Sequence, residues 1–462
     1  MSTGGASRGV CATKIGVQLL EQAKVTRRKQ YGGILSYEFI AEEASISPKT
    51  VQRFFNQENV SRENAIAICK VLGLSIVDVT NAEDKTNRLF SKKISKKNSD
   101  PLVQEPLQSP LTLEVPEGQV PINSSFYVER LPIETDCYRA IQRAGALIRI
   151  KAPRQMGKTS LMSRILNSAK HSGSQTAFIS LQEVDSDLLQ SLDRFLYWLC
   201  ARIANRLKMD EGLENLSDEW MTTLGSKSKC RDYLQEYILE NLTTPLVLGL
   251  DEVDVLFECP QIASDFFGLL RSWHEEAKID PTLEKLRLVI VHSQEVYVPL
   301  DVNQSPFNVG LAIELPEFKD EQIVDLASRH GVDWAAEWSN YSNYSPLQEL
   351  RAMVAGHPYL VRVALYELAR SRLSIKEFVE ISPTEEGPYQ DHLRRHLINL
   401  QQNQALMKAM REVVSANGPI RVESSIAFKL KSMGLVKLRK NSIVPLCNLY
   451  RTYFRDRLGN NQ

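Results

Sequence analysis

The chain has 462 residues, 43% hydrophobic and 24% charged, with 56 Lys/Arg against 56 Asp/Glu. That is two to four domains' worth of chain with a globular composition, which excludes fibrous and wholly disordered classes. No run of about eighteen apolar residues occurs, and the opening Met1-Ser2-Thr3-Gly4-Gly5 has no apolar signal core, so no membrane span or export is expected and a cytoplasmic location is the default. The seven cysteines, Cys11, Cys69, Cys137, Cys200, Cys230, Cys259 and Cys447, include no Cys-x-x-Cys pair. Their scatter argues against a zinc site and a disulfide framework, leaving reduced structural thiols. The neutral total hides an asymmetry: residues 1–100 carry 16 Lys/Arg and 10 Asp/Glu, a net of +6 that the remaining residues offset. The basic end is the part suited to face a polyanion.

In chain order, a first helix is expected near residues 15–27, followed by helix, short turn and helix over residues 37–55. Ile40, Ala41, Ala44, Ile46, Val51 and Phe54 would form the shared core, the two alanines being small enough for close helix approach. Ser47 caps the second of these helices and Pro48 takes its first position, where a missing N–H does no harm. Another helix near residues 63–72 stops at Gly73. The segment resembles the helix-turn-helix of phage-repressor-like regulators, and the resemblance places Lys49, Gln52 and Arg53 where they reach a DNA major groove. Small bundles of this type also dock proteins, and both readings stand. The bundle is assigned to residues 1–79 and a flexible linker to residues 80–119, whose lysines near 92–97 either assist DNA contact or solvate the linker.

Phe126-Tyr127-Val128-Glu129-Arg130 is an aromatic-apolar turn leading into a helix toward Arg143. An apolar strand, residues 146–151, then breaks into Ala152-Pro153-Arg154-Gln155-Met156-Gly157-Lys158-Thr159-Ser160 and resumes as a helix carrying Leu161, Ile165 and Leu166. This is the architecture of a phosphate-binding loop. Backbone N–H groups of Arg154 to Ser160 and the positive helix end would surround phosphate, Lys158 would neutralise it, and the Thr159 hydroxyl would reach Mg²⁺. Ala152 stands where the usual pattern has glycine and is tolerable only at negative φ, since the left-handed region costs about 1–2 kcal/mol.

Downstream, strands near 176–181, 246–250 and 286–291 alternate with helices near 188–206, 229–242 and 262–276, the rhythm of a doubly wound parallel α/β sheet. The second strand ends in Asp251-Glu252 and looks like a Walker B motif, with Asp251 holding Mg²⁺ through water and Glu252 orienting or activating the attacking water. After the third come His292-Ser293-Gln294, where a γ-phosphate sensor would sit, with the responsible side chain left open. Two helices over residues 346–372 are broken by Gly356-His357-Pro358. Helices near 405–416 and 426–433, then a hairpin around Lys440-Asn441, read as winged-helix-like.

Together KAPRQMGKTS, LVLGLDEVD, SPFNVG, LPEF and GHPYL resemble the bacterial AAA-like domain family of the STAND class of signal-transduction ATPases, over residues 120–456. The resemblance implies an α/β P-loop NTPase core at 120–340, a helical lid at 341–385 and a winged helix at 386–462, closing around ATP or ADP with Mg²⁺ and reopening as a switch. It sets Arg130 beside adenine, with Glu129 replacing the family's glycine, and makes Gly356 and Pro358 base-side residues. The function implied is a nucleotide-dependent, homo-oligomerising switch with slow or partner-stimulated ATPase activity, governing the N-terminal module and answering to an unknown protein trigger or effector. Two alternatives stay open: an ATP-tuned DNA-binding transcriptional regulator, and an ATP-fuelled assembly factor on DNA.

Overall fold

Serine caps start the N-terminal helices. In the computed structural model, which describes residues 10–13, 17, 20, 24, 36–72, 74, 76–80, 113–293, 305–332, 334, 345–371 and 373–459, these helices belong to the first of two compact units, Met1–Leu107 and Gln108–Gln462. Most of the helix expected near residues 15–27, along with Gly73 and Gln294, lies outside the described residues. Helices α1 (Tyr37–Glu43), α2 (Pro48–Phe55) and α3 (Arg62–Val71) begin after Ser36, Ser47 and Ser61, whose side chains accept backbone N–H bonds from Phe39, Thr50 and Asn64. Each cap is worth about 1 kcal/mol. A short α4 (Ile76–Val79) follows. Ile40, Ala41, Val51 and Phe54 are fully buried as expected, while Ala44 and Ile46 are half-buried. Ser45, at φ 54°, makes the left-handed turn between α1 and α2. Lys49, Gln52 and Arg53 are exposed on α2.

The second unit is built on five parallel strands: β1 (Leu147–Lys151), β2 (Gln175–Ser180), β3 (Leu246–Asp251), β4 (Leu286–His292) and β5 (Leu311–Glu314), in the order β2-β3-β4-β1-β5. Every residue of β3 and β4 is buried because helices cover both faces, which is why these strands read as unbroken apolar runs. Helices α5 (Ile133–Ala140) and α6 (Lys158–His171) cover one face, packing Cys137, Leu161 and Ile165 on Ile148, Ile150 and Val289. Helices α7 (Leu192–Leu207), α8 (Asp210–Trp220), α9 (Ser226–Asp232) and α10 (Pro260–Glu276) belong to the other, around Phe195, Tyr233, Phe266 and Trp273. The helix expected over residues 229–242 is instead α9 running into a π-helical stretch, Tyr233–Leu239. Helix α8 and the four-residue edge strand β5 were not anticipated, although Leu213, Leu216 and Trp220 of α8 recur at helical spacing; β5 is too short to display a period.

Beyond the sheet come α11 (Asp320–Arg329), α12 (Pro346–Val354), α13 (Pro358–Ser371), α14 (Ile375–Ile381), α15 (Gln390–Gln401), α16 (Gln404–Ser415) and α17 (Ser424–Ser432). The antiparallel hairpin β6 (Val436–Arg439) and β7 (Ser442–Pro445) and helix α18 (Asn448–Gly459) finish the described chain. One apolar core joins them, from Phe126 and Val128 through Leu350 and Leu360 to Tyr450 and Phe454. Residues 113–119, read from sequence as the end of the linker, instead begin a strap that continues across α6. There Val120 N–H donates to Ser160 Oγ at 2.9 Å, and Gln119 Nε2 donates to Ser163 Oγ at 2.7 Å.

Candidate phosphate-binding site

The loop between β1 and α6 leaves the carboxyl edge of the sheet, where ligands gather in open α/β folds. Ala152 is buried and keeps negative φ; the left-handed positions are Gln155 (φ 62°) and Gly157 (φ 91°). Lys158, the first residue of α6, is 6% exposed and donates from Nζ to Pro153 O at 3.0 Å. Burial lowers its ammonium pKa, opposed by the charges of Glu252, Asp254 and Asp251.

Strand β4 separates β1 from β3, and the neighbouring Thr159 closes the gap by donating from Oγ1 to Asp251 Oδ2 at 2.7 Å. Asp251 Oδ1 accepts the Glu252 N–H at 3.0 Å. Burial raises the Asp251 carboxyl pKa, with the Thr159 hydroxyl pulling the other way. Burial and then Asp254 raise that of Glu252, against Lys158. Glu252 itself sits at φ 56°, a left-handed kink where the chain turns off β3. The juxtaposed hydroxyl and carboxylate are hard oxygen donors, the set that suits Mg²⁺ shared with ligand phosphates. Among the described residues there is no group of three or more His, Cys, Asp or Glu that could hold a metal ion.

At the end of β4, the His292 ring packs with those of Phe257 and Phe307, their centroids 6.3 and 5.0 Å away. Ser293 N–H donates to Asp254 Oδ1 at 2.9 Å, while its buried Oγ has no hydrogen-bond partner among the described residues. Asp254, 5% exposed, therefore ties β3 to β4 beside Lys158. Sequence reasoning passed over it, although a third carboxylate three residues after Asp251 was the available signal.

Next to the loop opens a cleft of about 630 Å³, counting the open solvent at its mouth. Arg130, Gln155, Met156, Gly157, Ser160 and Pro358 line it. The Arg130 guanidinium donates from Nη1 to Met156 O at 2.7 Å, and its buried Nε has no partner. Glu134 holds this turn by accepting the Arg130 N–H at 2.8 Å and the Tyr127 hydroxyl at 2.9 Å. Arg154 is exposed and does not line the cleft.

Residues 115–456 match the family described as the AAA-like domain. The chain belongs to this family. Solved structures similar to it include the Walker-type ATPase PABY2304 of Pyrococcus abyssi, at 14% identity, 71% of this chain and 96% of that chain covered, and a TM-score of 0.48. The ORC2 protein of Aeropyrum pernix, in ADPNP–ADP complexes, shows 15% identity, 73% and 98% coverage and a TM-score of 0.41. Domain III of the Thermotoga maritima replication initiation protein DnaA shows 15% identity, 56% and 95% coverage and a TM-score of 0.34. A comparison with curated proteins finds no match. Among the described residues no helix is long and apolar enough to cross a membrane.

Within the AAA-like domain, two buried arginines that sequence reasoning missed fasten the strap over the cleft. Arg164 of α6 donates to Val120 O at 3.1 Å and Pro121 O at 2.8 Å and stacks 3.5 Å from the Tyr127 ring centroid. Arg362 of α13 pairs with Glu114 at 3.0 Å. Arg362 interrupts an otherwise apolar helix face, which was its legible sign, whereas Arg164 is flanked on its face by Ser160, Asn167 and Ser168 and carried none. Gly356 lies behind the cleft: a Cβ there would stand 2.3 Å from Phe318 O, and its own carbonyl accepts Phe318 N–H at 2.7 Å. Gly356→Ala is therefore expected to cost about 1–3 kcal/mol by overpacking against backbone, read as a lowered thermal unfolding midpoint. An unchanged midpoint would mean that the turn yields freely.

Proposed function

We propose that this protein is an ATP-binding switch of the STAND type, in which Mg²⁺-nucleotide at Lys158, Thr159 and Asp251 governs an N-terminal DNA- or protein-binding helix-turn-helix module. The observation that carries this reading is the assembled triad: Lys158 buried at the head of α6, with Thr159 bonded to Asp251 across the intervening strand. Its switching character is supported by contacts onto the loop and the sheet edge from the hairpin region, the part we read as a winged helix at 386–462 following a helical lid at 341–385. Lys437 pairs with Glu317 at 2.9 Å, Lys431 with Glu314 at 3.4 Å, and a Cβ on Gly434 would meet Pro153 Cβ at 3.3 Å. Packing on the ATPase module, rather than DNA contact, is the role we assign to that hairpin.

In hydrolysis, a water oxygen attacks the γ-phosphorus, the bond to the β–γ bridging oxygen breaks, and the water's proton passes to Glu252. Lys158 and the loop N–H groups of Arg154 to Ser160 hold the phosphates, and Thr159 and Asp251 hold the ion. Mg²⁺, when bound, neutralises phosphate charge. Ser293, with its unpartnered Oγ, is the better sensor candidate than His292, whose ring packs against Phe257 and Phe307. Arg130, Gly356 and Pro358 serve the base side of the cleft, Pro358 by lining it and Gly356 by holding its wall. Arg271 bonds Ser305 O and pairs with Glu275 at 3.0 Å, an internal role that leaves no assigned arginine finger.

Lys49 and Gln52 supply the exposed contacts on α2, whereas Arg53 is engaged with Glu58 and Asn59 O and would have to exchange them for phosphate. The deciding experiment is mass photometry of the full chain with Mg-ADP, with a nonhydrolysable ATP analogue, and with each plus duplex DNA. A nucleotide-dependent mass change is expected, as is a salt-sensitive DNA complex lost in Lys49→Ala/Arg53→Ala. Monomers under every condition would overturn switching by assembly. Half-site-specific DNA binding would favour a transcriptional regulator, and DNA-stimulated turnover with filaments or rings would favour an assembly factor.

A further inference from the structure

Residues 114–124 form a closed loop, and one carboxylate ties its stem. Glu114 Oε2 accepts the Ser124 hydroxyl at 2.6 Å and the Arg362 Nη2 at 3.0 Å. Ser124 Oγ in turn accepts the Phe126 N–H at 3.1 Å, and the Arg362 guanidinium lies 5.5 Å from the Phe126 ring centroid. The other limb is fixed to α6, through Ser160 at the Val120 N–H and through Arg164 at the carbonyls of Val120 and Pro121. Between these two attachments Pro116, Glu117 and Gly118 stand as a wall of the cleft.

The two attachments belong to different helices. Helix α6 begins with Lys158 and Thr159, whereas α13 meets the cleft at Pro358, Tyr359 and, one turn on, Arg362. Arg362 is 6% exposed, and its Nε has no hydrogen-bond partner among the described residues, so the bond from Nη2 to Glu114 is what fixes the guanidinium to the loop. A charge-assisted bond of this kind is a strong fastening. A molecule in the cleft is therefore walled by a segment pinned at one end to the phosphate-binding helix and at the other to α13. Its departure requires the wall to swing aside or the two helices to part, and either motion pulls on Glu114.

We propose that Glu114 and Arg362 are the clasp of the cleft, positioning residues that hold loop 114–124 against the base end of a bound nucleotide and so set how fast it leaves. This rests on the nucleotide reading of Lys158 and its neighbours. Neither residue has a part in the hydrolytic chemistry above. Breaking the pair frees the stem from α13 while the other limb stays on α6, so the loss is felt in the dissociation rate, where changes within one binding site mostly appear.

The test is stopped-flow release of ribose-labelled fluorescent Mg-ADP from the full chain, chased with unlabelled Mg-ADP. Release is expected to be about tenfold faster or more in Glu114→Gln and in Arg362→Met. The double variant should be no faster than the faster single, because one clasp is broken in each. Arg231→Met, which loses the Arg231–Glu276 pair between α9 and α10 on the other face of the sheet, is expected to lower the thermal midpoint without speeding release. Release within about twofold of wild type in the folded clasp variants overturns the proposal, and so does equal acceleration by Arg231→Met. Hydrogen exchange of the wild type tests it without any variant: saturating Mg-ADP should slow the amides of residues 114–124. Protection of the phosphate-binding loop with none in 114–124 overturns the clasp. Absence of Mg-ADP binding by the folded wild type overturns instead the nucleotide reading on which the proposal stands.

Discussion

Lys158→Ala is expected to weaken Mg-ATP binding by about 10²-fold or more, with the fold intact. The Lys158 ammonium is buried in the loop, held by Pro153 O at 3.0 Å and surrounded by the carboxyls of Asp251, Glu252 and Asp254. Charge-assisted hydrogen bonds contribute about 1.5–3 kcal/mol each, so losing two such bonds to phosphate removes roughly 3–6 kcal/mol of binding. A second consequence follows from the same neighbours. Burial already raises Asp251 and Glu252, and without the cation they rise further, weakening the ion site as well. Calorimetry or displacement of a fluorescent nucleotide measures the loss, and size analysis should show any ATP-induced oligomer change vanish with it. Wild-type affinity in this variant would remove the loop from the function proposed.

Glu252→Gln should separate binding from turnover. The amide conserves volume at a half-buried, left-handed position, so Mg-ATP affinity stays within a few-fold while hydrolysis falls by about 10²–10⁴-fold, the usual range for a general base. The sign with pH follows from the raised carboxyl: water activation needs the ionised form, so wild-type turnover falls as pH drops through a value above the ordinary carboxylate range. That acid limb should be missing from the residual activity of Glu252→Gln. Phosphate release assayed across pH gives both results, and undiminished turnover would exclude Glu252 as the base.

Much of the candidate site was legible because its pattern is written locally. Gly157-Lys158-Thr159 follows an apolar strand and opens a helix, and Asp251-Glu252 ends a strand with both faces apolar; each pattern is short-range and needs no partner to be seen. The exposure of Lys49, Gln52 and Arg53 on α2 was legible for the same reason, as it follows from helical spacing around Val51 and Phe54. Elements too short or irregular to show a period escaped, the four-residue β5 and the break from α9 into a π-helical turn, and α8 was missed despite its helical spacing of Leu213, Leu216 and Trp220. So did the strap at 113–119, whose composition reads as linker and which is tied by Arg362 to Glu114 and by Ser163 to Gln119, 40 or more residues away in the chain.

By itself the sequence determined the phosphate loop, the acidic strand end, the α/β alternation and membership in the AAA-like domain family over residues 115–456, since these depend on residue type and spacing alone. Tertiary structure decided the rest. It set Thr159 against Asp251 across β4, tied Asp254 to Ser293, and gave Gly356 a packing role behind the cleft. It also set His392 beside His396 and the Tyr450 hydroxyl, which comes from another helix. Those relations depend on sheet order and on which helix covers which edge, distances between residues far apart in the chain that no local pattern encodes.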